Sequence, residues 1–482
     1  MSRGISAEQI DGSYSSSELG TLVPCYVGNA PYWQLNASEW REIAGTVMII
    51  RSLEDAKNKI GHYIPTSGAW RKEFSICEAV NAHFNDSAIT CGPIIVLINK
   101  AEVSVKADAT ESNVAILNGV GYVPVDGLAV LSTVSIDGKE KGVDYSATYD
   151  DNGQNIIIKD LNNSLSGTVV VKYNEVENLA NLNIASVTFD SIDYFEQLIG
   201  EVPSVFLAPQ LEEDYLDGSS AAGTVASKLK QIVEGRINSH WYTQAIIQMS
   251  GERDNLSEEK ALKGYDSHKT KVCWPYVKKN SGLVYSLSVL FSVAKLSVDI
   301  ENDGIPFESA SNEIITDVSY LCDKDGNRIN QTEKEANALN EIGIATANFV
   351  SGSWRTWGIC MANYVEVVKD AILPEKLNDV AVQMRDYISN DFQKKYIDHI
   401  DKPIPSRVAN EIVGDYQLDL NTLVSNGALL FGSIEYDSSA SDELNGDFVF
   451  NIAETHTPPG KSITAKIGYT KEGLSSYEGS DE

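Results

Sequence analysis

The residue types that could perform chemistry are few in this chain, and their spacing does not favour catalysis. Gly223-Thr224-Val225-Ala226-Ser227 is similar to the helix start that carries the nucleophile of some serine hydrolases, but Val225 stands where that serine would lie. The six histidines, at 62, 83, 240, 268, 399 and 456, include none in a His-Gly-Thr setting, and His240 is predicted to begin a strand. We therefore expect no catalytic residues.

One stretch has some of the oxygen ligands of a calcium-binding loop. Asp323-Lys324-Asp325-Gly326-Asn327 supplies two carboxylates, but such a loop needs glycine at its sixth position and an acid at its twelfth, where Arg328 and Lys334 stand. A plain Asp-Gly turn is the better prediction. The sequence also has no His-Glu-x-x-His motif, no P-loop and no dinucleotide-binding glycine triplet. We expect no metal site and no cofactor.

The composition is that of a large globular protein with a strong acidic excess. The chain has 482 residues, 43% of them hydrophobic, and should hold about two to four domains. Its net charge of −30 argues against direct binding to nucleic acid, which needs a basic surface, although solubility alone would also explain the charge. We expect no membrane insertion, because the longest apolar run, Leu283–Val298, contains Lys295 and several serines.

The cysteines and the first residues indicate synthesis in a cytosol. The six cysteines include no Cys-x-x-Cys pair and have no regular spacing, which is typical of reduced thiols. Residues 1–20 lack the basic start and the apolar run of a signal peptide. We therefore expect assembly in a cytoplasm.

Hydrophobic periodicity predicts an α/β core over residues 25–99 and 179–370. Short apolar strands alternate there with amphipathic helices, which is typical of a mostly parallel sheet. The predicted strands are Val47–Ile50, Pro93–Ile98, Ser204–Ala208, Trp241–Gln248 and Thr356–Met361. The predicted helices are Leu53–Ile60 with Ser52 as N-cap, Glu73–Phe84, Ser191–Ile199, Ala222–Glu234 and one that ends at Gly343.

Residues 100–178 differ from the rest of the chain. They contain no Cys, Met, His, Arg, Phe or Trp, whereas Val, Ile, Thr and Gly are prominent. Strand-like runs at Thr133–Ile136, Gln154–Lys159 and Thr168–Tyr173 are separated by turn signals such as Asp137-Gly138. The pattern predicts a β-sandwich inserted into the core domain.

Residues 371–456 are predicted to form an α+β domain, with a helix at Val380–Ile400 and strands at Leu429–Tyr436 and Phe448–Ala453. Basic residues concentrate on its helical part, within an acidic molecule. They either pair along a solvated helix face or form a contact surface for an acidic partner. The candidates for that contact are Lys394, Lys395, Lys402 and Arg407.

Both ends of the chain are predicted to be extended arms. In residues 457–482, Thr457-Pro458-Pro459-Gly460 should act as a stiff spacer, because two prolines cannot continue a strand ladder. The strand predicted beyond it has one apolar face, made of Ile463, Ala465, Ile467 and Tyr469. Residues 1–24 form a polar arm with weak alternation at Ile5, Ile10 and Tyr14.

Several segments together resemble the contractile tail sheath proteins of phage tails and related injection machines. Ser309-Ala310-Ser311-Asn312 is similar to that family's Ser-Pro-Ser-Asn segment, with Ala310 in place of proline. The other matching segments are Leu339-Asn340…Gly343-Ile344, Arg355…Trp357-Gly358, Ile397–Pro403, Leu423…Gly427-Ala428, Gly446-Asp447-Phe448 and, more weakly, Val27–Pro31. Trp354 and Trp357 could alternatively be a stacking platform, but core aromatics are the commoner outcome.

The resemblance implies a subtilisin-like, non-catalytic α/β core and a structural role. It implies hexameric rings that stack as a helical sheath around an inner tube, with the C-terminal domain facing the tube and the arms lacing neighbouring subunits together. The sheath would then contract and drive the tube through a cell envelope. The implied partners are further copies of the chain, the tail tube protein, and baseplate and tail terminator proteins, in a virion tail or tailocin particle.

Two other functions are open at this point. A subtilisin-like hydrolase with the β-sandwich as an accessory domain would need the serine and histidine settings that are missing. A surface adhesin that binds through the sandwich would need an export signal. In the sheath interpretation, the sandwich is expected to face outwards.

Overall fold

The structure is a computed structural model of the chain, and it describes residues 23–36, 39–86, 91–179, 182–235 and 241–470. The strands are β1 (Cys25–Gly28), β2 (Val47–Ile50), β3 (Gly68–Ala69), β4 (Ile94–Ile98), β5 (Ser104–Val105), β6 (Thr110–Ile116), β7 (Val120–Pro124), β8 (Ser135–Ile136), β9 (Tyr145–Tyr149), β10 (Asn155–Asp160), β11 (Gly167–Tyr173), β12 (Val176–Glu177), β13 (Val205–Leu207), β14 (Gln244–Gln248), β15 (Thr270–Cys273), β16 (Tyr276–Lys279), β17 (Leu283–Ser286), β18 (Val318–Cys322), β19 (Arg328–Ile329), β20 (Ile344–Val350), β21 (Ser353–Trp357), β22 (Leu429–Tyr436) and β23 (Phe450–His456).

The α-helices are α1 (Leu53–Lys59), α2 (Ser75–Phe84), α3 (Phe195–Ile199), α4 (Val225–Glu234), α5 (Leu256–Leu262), α6 (Leu287–Glu301), α7 (Glu333–Asn340), α8 (Asp379–Tyr396) and α9 (Ser406–Ser425). Among the described residues, none of these helices is both long enough and apolar enough to cross a membrane.

A mostly parallel sheet forms the centre of the molecule, in the strand order β2-β4-β1-β13-β14-β15-β20-β21. Its inner pairs are parallel, and the outermost pairs β2–β4 and β20–β21 are antiparallel. Every residue of β4 and β14 is buried, because helices cover both faces of the sheet. Helices α1, α2 and α6 pack on one face, and α3, α4, α5 and α7 on the other.

The inserted region has its own core and is fastened to the central domain. Two three-stranded sheets, β7-β10-β9 and β6-β11-β8, share a cluster of buried Val, Ile, Leu and Tyr side chains. At the junction, Trp33 Nε1 donates to the carbonyl of Gly127 (2.7 Å) and Gln154 Nε2 donates to that of Ile64 (2.6 Å). The insertion is therefore held in place by the central domain.

The C-terminal region packs two long helices on a two-stranded antiparallel sheet. Helices α8 and α9 and the sheet β22–β23 share a core that includes Met384, Tyr416 and Leu420. Nothing in the described part of the chain is paired with β22–β23 as a third strand. The outer edge of β23 is therefore open, whereas on the edge of β22 the Gln417 side chain of α9 donates to the carbonyl of Gly432 (3.0 Å) and accepts from Ile434 N (3.2 Å).

Most predicted elements of the core are confirmed within a few residues, and Ser52 caps α1 by accepting a hydrogen bond from Asp55 N (3.0 Å). Several predicted bounds were wrong. The predicted strand Thr356–Met361 is the strand Ser353–Trp357, which ends where Gly358 takes a φ of 142°. The helix predicted at Ser191–Ile199 is a 3₁₀ helix up to Tyr194, and only Ser135–Ile136 of Thr133–Ile136 is a strand.

The predicted strand at Ile463–Tyr469 is also wrong for the chain on its own. Residues 457–470 are extended without a strand partner among the described residues. Ile463, Ile467 and Tyr469 are 97%, 96% and 82% exposed. A strand forms only when its backbone groups pair with those of a second strand. This segment has no such second strand among the described residues of one subunit.

Candidate functional site

The start of α4 is a helix cap and does not present a nucleophile. Thr224 Oγ1 accepts a hydrogen bond from Ser227 N (3.1 Å), and Ser227 Oγ donates to the carbonyl of Thr224 (2.7 Å). Val225, at the position of the missing serine, is fully buried. The polar groups of this stretch are therefore used to close the first turn of the helix.

Burial keeps two of the histidines neutral, and the other described histidines lie in separate regions of the molecule. Burial lowers the pKa of His62 to about 3 and that of His83 to about 4. His83 is hydrogen-bonded to Tyr26 Oη (2.7 Å) and to the carbonyl of Cys91 (2.6 Å). The remaining histidines are His268 in a cleft beside α8, His399 and His456 in the C-terminal region, and His240 outside the described residues.

The Asp323 stretch is a turn. Asp323 Oδ1 accepts hydrogen bonds from the backbone N–H groups of Asp325 (3.0 Å) and Asn327 (2.8 Å), so its carboxylate is occupied by its own loop. In the described part of the chain, no group of three or more His, Cys, Asp or Glu side chains is placed to hold a metal ion.

A buried polar cluster fills the carboxyl edge of the central sheet, where α/β proteins commonly bind ligands. Glu78 on α2 accepts hydrogen bonds from Ser286 N (2.5 Å) and from Gln210 Nε2 (2.8 Å). Glu212 is also buried, and burial together with the nearby Glu78 charge raises the pKa of its carboxyl group. Burial also raises the pKa of Glu78, from 4.5 to about 7.

We expect Glu78→Gln to remove part of the pH dependence of stability. Because the folded-state pKa lies above the unfolded value, the folded chain binds this proton more tightly, and the free energy of unfolding falls as pH rises from about 4.5 to 7. The difference between variant and wild type should change by up to about 1.4 kcal/mol per pH unit in that window. Urea denaturation at a series of pH values measures it. An unaltered slope in Glu78→Gln would contradict the assignment.

Three of the segments that carry the family resemblance lie together in the structure. Thr356 Oγ1 donates to the carbonyl of Ala310 (2.6 Å), and Gly358 N donates to Ser311 Oγ (2.9 Å). Trp357 Nε1 donates to Asn337 Oδ1 (2.9 Å). Segments 309–312 and 355–358 are thus joined by hydrogen bonds, and Asn337 joins them to α7, which contains Leu339 and Asn340. Together they line a groove of about 860 Å³ with residues 457–462.

A buried ion pair lies behind this groove and joins the central sheet to the C-terminal region. Lys271 on β15 forms an ion pair with Asp379 at the start of α8 (3.0 Å), and the two side chains are 6% and 0% exposed. Lys271 Nζ also donates to the carbonyl of Gly358 (2.8 Å), and Ser309 Oγ donates to Asp379 (2.6 Å). One pair of charges therefore holds β15, α8 and two of the resemblance segments together.

The same face of α8 carries further buried polar contacts. Asp386 forms an ion pair with Lys269 and accepts a hydrogen bond from Gln244 Nε2 (3.1 Å). Burial raises the pKa of Asp386 above its ordinary value, and the nearby Lys269 charge offsets part of that rise. Asn390 Oδ1 accepts a hydrogen bond from Tyr242 N (2.8 Å). Helix α8 is thus fixed to the amino ends of β14 and β15 along its length.

Sequence reasoning missed this joint, although a signal was present. Asp379, Asp386 and Asn390 are seven and four residues apart and so share one face of the predicted helix. Lys271 lies on β15, whose other residues are Thr, Val and Cys, and Lys269 directly precedes that strand. Charged residues at positions that should be buried indicate partners elsewhere in the fold.

The four predicted contact cations lie near one end of α8 and α9 and differ in their pairing. Lys395 forms ion pairs with Asp415 (2.8 Å) and Asp419 (2.5 Å) of α9, and Arg407 pairs with Glu411. Lys394 and Lys402 are exposed, and the side chain of neither forms a hydrogen bond or ion pair with another described residue. The prediction of a helix face with internal pairs thus fits Lys395 and Arg407. The N-terminal positions Ile5, Ile10 and Tyr14 lie outside the described residues.

Comparison with known proteins identifies solved structures of similar fold. No protein-family model matches the chain, and no curated protein matches it. A chain of the anti-feeding prophage baseplate is 14% identical with a TM-score of 0.57, covering 98% of this chain and 99% of that chain. A chain of the contracted PVC sheath complex, an extracellular contractile injection system, is 11% identical with a TM-score of 0.53 and covers 98% and 99%.

A third structure, the sheath tail protein of Desulfitobacterium hafniense, is 9% identical with a TM-score of 0.50 and covers 94% of this chain and 100% of that chain. The resemblance to sheath proteins is therefore confirmed at the level of fold. The mixed α/β content with several sheets is confirmed with it, whereas the subtilisin-like character of the core stays a prediction.

Proposed function

We propose that this chain is a structural subunit of a contractile tail sheath, which polymerises as stacked hexameric rings around an inner tube and shortens to drive the tube through a cell envelope. The observation that carries the proposal is the fold likeness along nearly the whole chain to proteins of contractile injection systems, two of them named as sheath proteins. The groups at the carboxyl edge of the sheet and at the start of α4 support a structural role over a hydrolase.

The proposed contact between subunits is strand addition. The outer edge of β23 pairs with no described strand, and its unpaired N–H and C=O groups can bind another chain. The segment of Ile463, Ala465, Ile467 and Tyr469 is extended and exposed, with alternating apolar side chains. An arm from one subunit would add to the sheet of its neighbour, and the N-terminal arm with Ile5, Ile10 and Tyr14 would contribute in the same way.

The C-terminal region, residues 371–456, is the proposed tube-facing domain. Of its predicted contact residues, Lys394 and Lys402 are the better candidates, because they are exposed and are not used in ion pairs with described residues. Lys395 and Arg407 would have to exchange their present carboxylate partners for those of the tube protein. Baseplate and tail terminator proteins would bind the two ends of the sheath.

The remaining domain assignments are part of the same proposal. Residues 25–99 and 179–370 form the sheath core, 100–178 an outward-facing sandwich, and 1–24 and 457–482 the two arms. The fastening of the sandwich through Gly127 and Gln154 supports a rigid outer domain that moves with its subunit. Assembly would take place in a host cytoplasm, and the particle would be a virion tail or a tailocin.

The C-terminal arm is tested by truncation. We expect the full chain to form rings or tubes in negative-stain electron microscopy and a chain that ends at Pro459 to remain monomeric, because it lacks the strand that pairs with a neighbour. A chain that ends at Thr470 is the matched control and should assemble, since it keeps Ile463–Tyr469. Tubes formed by the Pro459 truncation would contradict the role of the arm. A full chain that stays monomeric up to its solubility limit, with or without tube protein, would contradict the sheath function.

A further inference from the structure

The C-terminal arm has a competing partner within its own subunit. β23 ends at His456, and only the first four residues of the arm, Thr457–Gly460, separate it from the part that begins at Lys461. Hairpins with four-residue loops are common, and Gly460 could adopt the conformations that such a loop requires. The arm could therefore fold back and pair with the open edge of its own β23. A subunit closed in this way would hide the arm and block the edge that a neighbour needs.

The structure shows the arm directed away from that edge. Thr457 still follows the sheet, with its N–H bonded to the carbonyl of Ala428 (3.1 Å) and its Oγ1 to that of Gly427 (2.6 Å). The Pro458-Pro459 pair then leads the chain across the groove to the central domain. Prolines remove two backbone donors from this step and restrict its φ angles, so the path is stiff.

Lys461 fastens the arm at the end of this path. Its Nζ donates to Tyr364 Oη (2.9 Å) and to Glu366 Oε2 (3.1 Å), and it lies 5.0 Å from the centre of the Tyr364 ring. Tyr364 is buried and so provides a fixed attachment point. Hydrogen bonds from Lys369, Tyr364 and Lys461 lower the pKa of Glu366 to about 2, so Glu366 stays charged throughout the physiological range.

The side chains that follow Lys461 include exposed ones. Ile463 and Ile467 are almost fully exposed, and Lys466 has no hydrogen bond or ion pair to a described residue. Lys461 thus fastens the arm directly after its proline pair.

We propose that Lys461, bound to Tyr364 and Glu366, is a latch that prevents the arm from pairing with the edge of its own β23 and keeps both available for a neighbouring subunit. The effect of the latch on assembly rests on the proposed sheath function. The latch itself is a property of the free chain. An exposed ion pair with a ring contact shifts such an equilibrium by about fivefold. That shift is enough to change how many subunits are ready to assemble.

The latch can be tested on the full-length free chain with a nitroxide at Thr464→Cys, because the native cysteines are all buried. In the wild-type background and in Lys466→Ala, the matched control, we expect a mobile label and rapid hydrogen exchange at the outward amides of Phe450–His456. In Lys461→Ala we expect about a fivefold larger immobilised fraction and slower exchange at those amides. Glu366→Gln should have the same effect, and the double variant should add little, because both act through one contact.

The outcomes separate the latch from the sheath function. An immobilised fraction unchanged in Lys461→Ala, or one equally raised in Lys466→Ala, would overturn the latch whether or not the chain forms a sheath. With the latch confirmed, Lys461→Ala should also assemble about fivefold more slowly by light scattering, and Lys461→Arg should restore the rate. If the label responds as expected but the wild-type chain never assembles, the latch stands and the sheath function fails.

Discussion

Replacing Asp379 with alanine is expected to lower the free energy of unfolding by about 3–5 kcal/mol, because the change leaves Lys271 buried without its counter-charge. The Lys271 side chain is 6% exposed, and the carbonyl of Gly358 is its other hydrogen-bond partner in the described structure. Asp379 also accepts a hydrogen bond from Ser309 Oγ, so its loss affects one of the resemblance segments as well. Urea denaturation followed by circular dichroism measures the change.

Two controls separate charge from packing. Lys271→Met combined with Asp379→Leu removes both charges and should be far less destabilising than Asp379→Ala, since buried ion pairs are often replaceable by apolar side chains. Arg407→Ala, which breaks an exposed ion pair with Glu411, should cost about 0.5 kcal/mol or less. A loss below about 1 kcal/mol in Asp379→Ala would show that the pair does not hold the joint together.

Gly358→Ala is expected to be nearly as damaging, with a loss of about 3 kcal/mol. The φ angle of 142° at Gly358 is unfavourable for any residue with a side chain. A Cβ there would also lie 2.6 Å from Asn340 Oδ1 and 2.8 Å from Ala345 Cα, and the latter is backbone that cannot move freely. Strain and overpacking each cost about 1–3 kcal/mol.

Gly352→Ala is the matched control, because Gly352 has a φ of 84° but nothing within 4 Å of the added Cβ. It isolates the conformational cost, and its loss should be about 1 kcal/mol. Thermal and urea denaturation of both variants measure the difference. Equal losses in the two variants would show that close packing against Asn340 and Ala345 is not what requires a glycine at 358.

Part of the molecule followed directly from local patterns. The apolar run before Asn99 and the Ser52 cap predicted a buried strand and a helix start, because both depend on residues close in sequence. The Val-rich, turn-rich texture of the inserted region predicted its strands, although Thr133–Ile136 was cut short by a 3₁₀ turn at Leu131–Thr133. The resemblance segments also predicted the fold of the whole chain, which the structural comparisons confirm.

The charged joints could not be assigned in the same way. Lys271 and Asp379 are more than a hundred residues apart, and no local rule tells a lysine on a strand which aspartate it will meet. The same holds for Lys461 and Glu366, and for the grouping of Ser311, Trp357 and Asn337 around one groove. The concentration of basic residues on the helical part of residues 371–456 was visible in the sequence, but whether each lysine pairs internally depended on how α8 and α9 face one another.

The sequence by itself determined part of the elements, the fold resemblance and the apolar alternation of the C-terminal arm, because these depend on side-chain periodicity and on motifs within short segments. Only the tertiary structure decided that the outer edge of β23 is open, that α8 is fixed to the sheet through buried charges, and that Lys461 contacts Tyr364 and Glu366. The physical reason is that strand pairing and charge pairing are contacts between distant parts of the chain. Ile463–Tyr469 illustrates what neither the sequence nor a single chain can decide. Its alternation predicts a strand, but one chain cannot supply that strand with a partner.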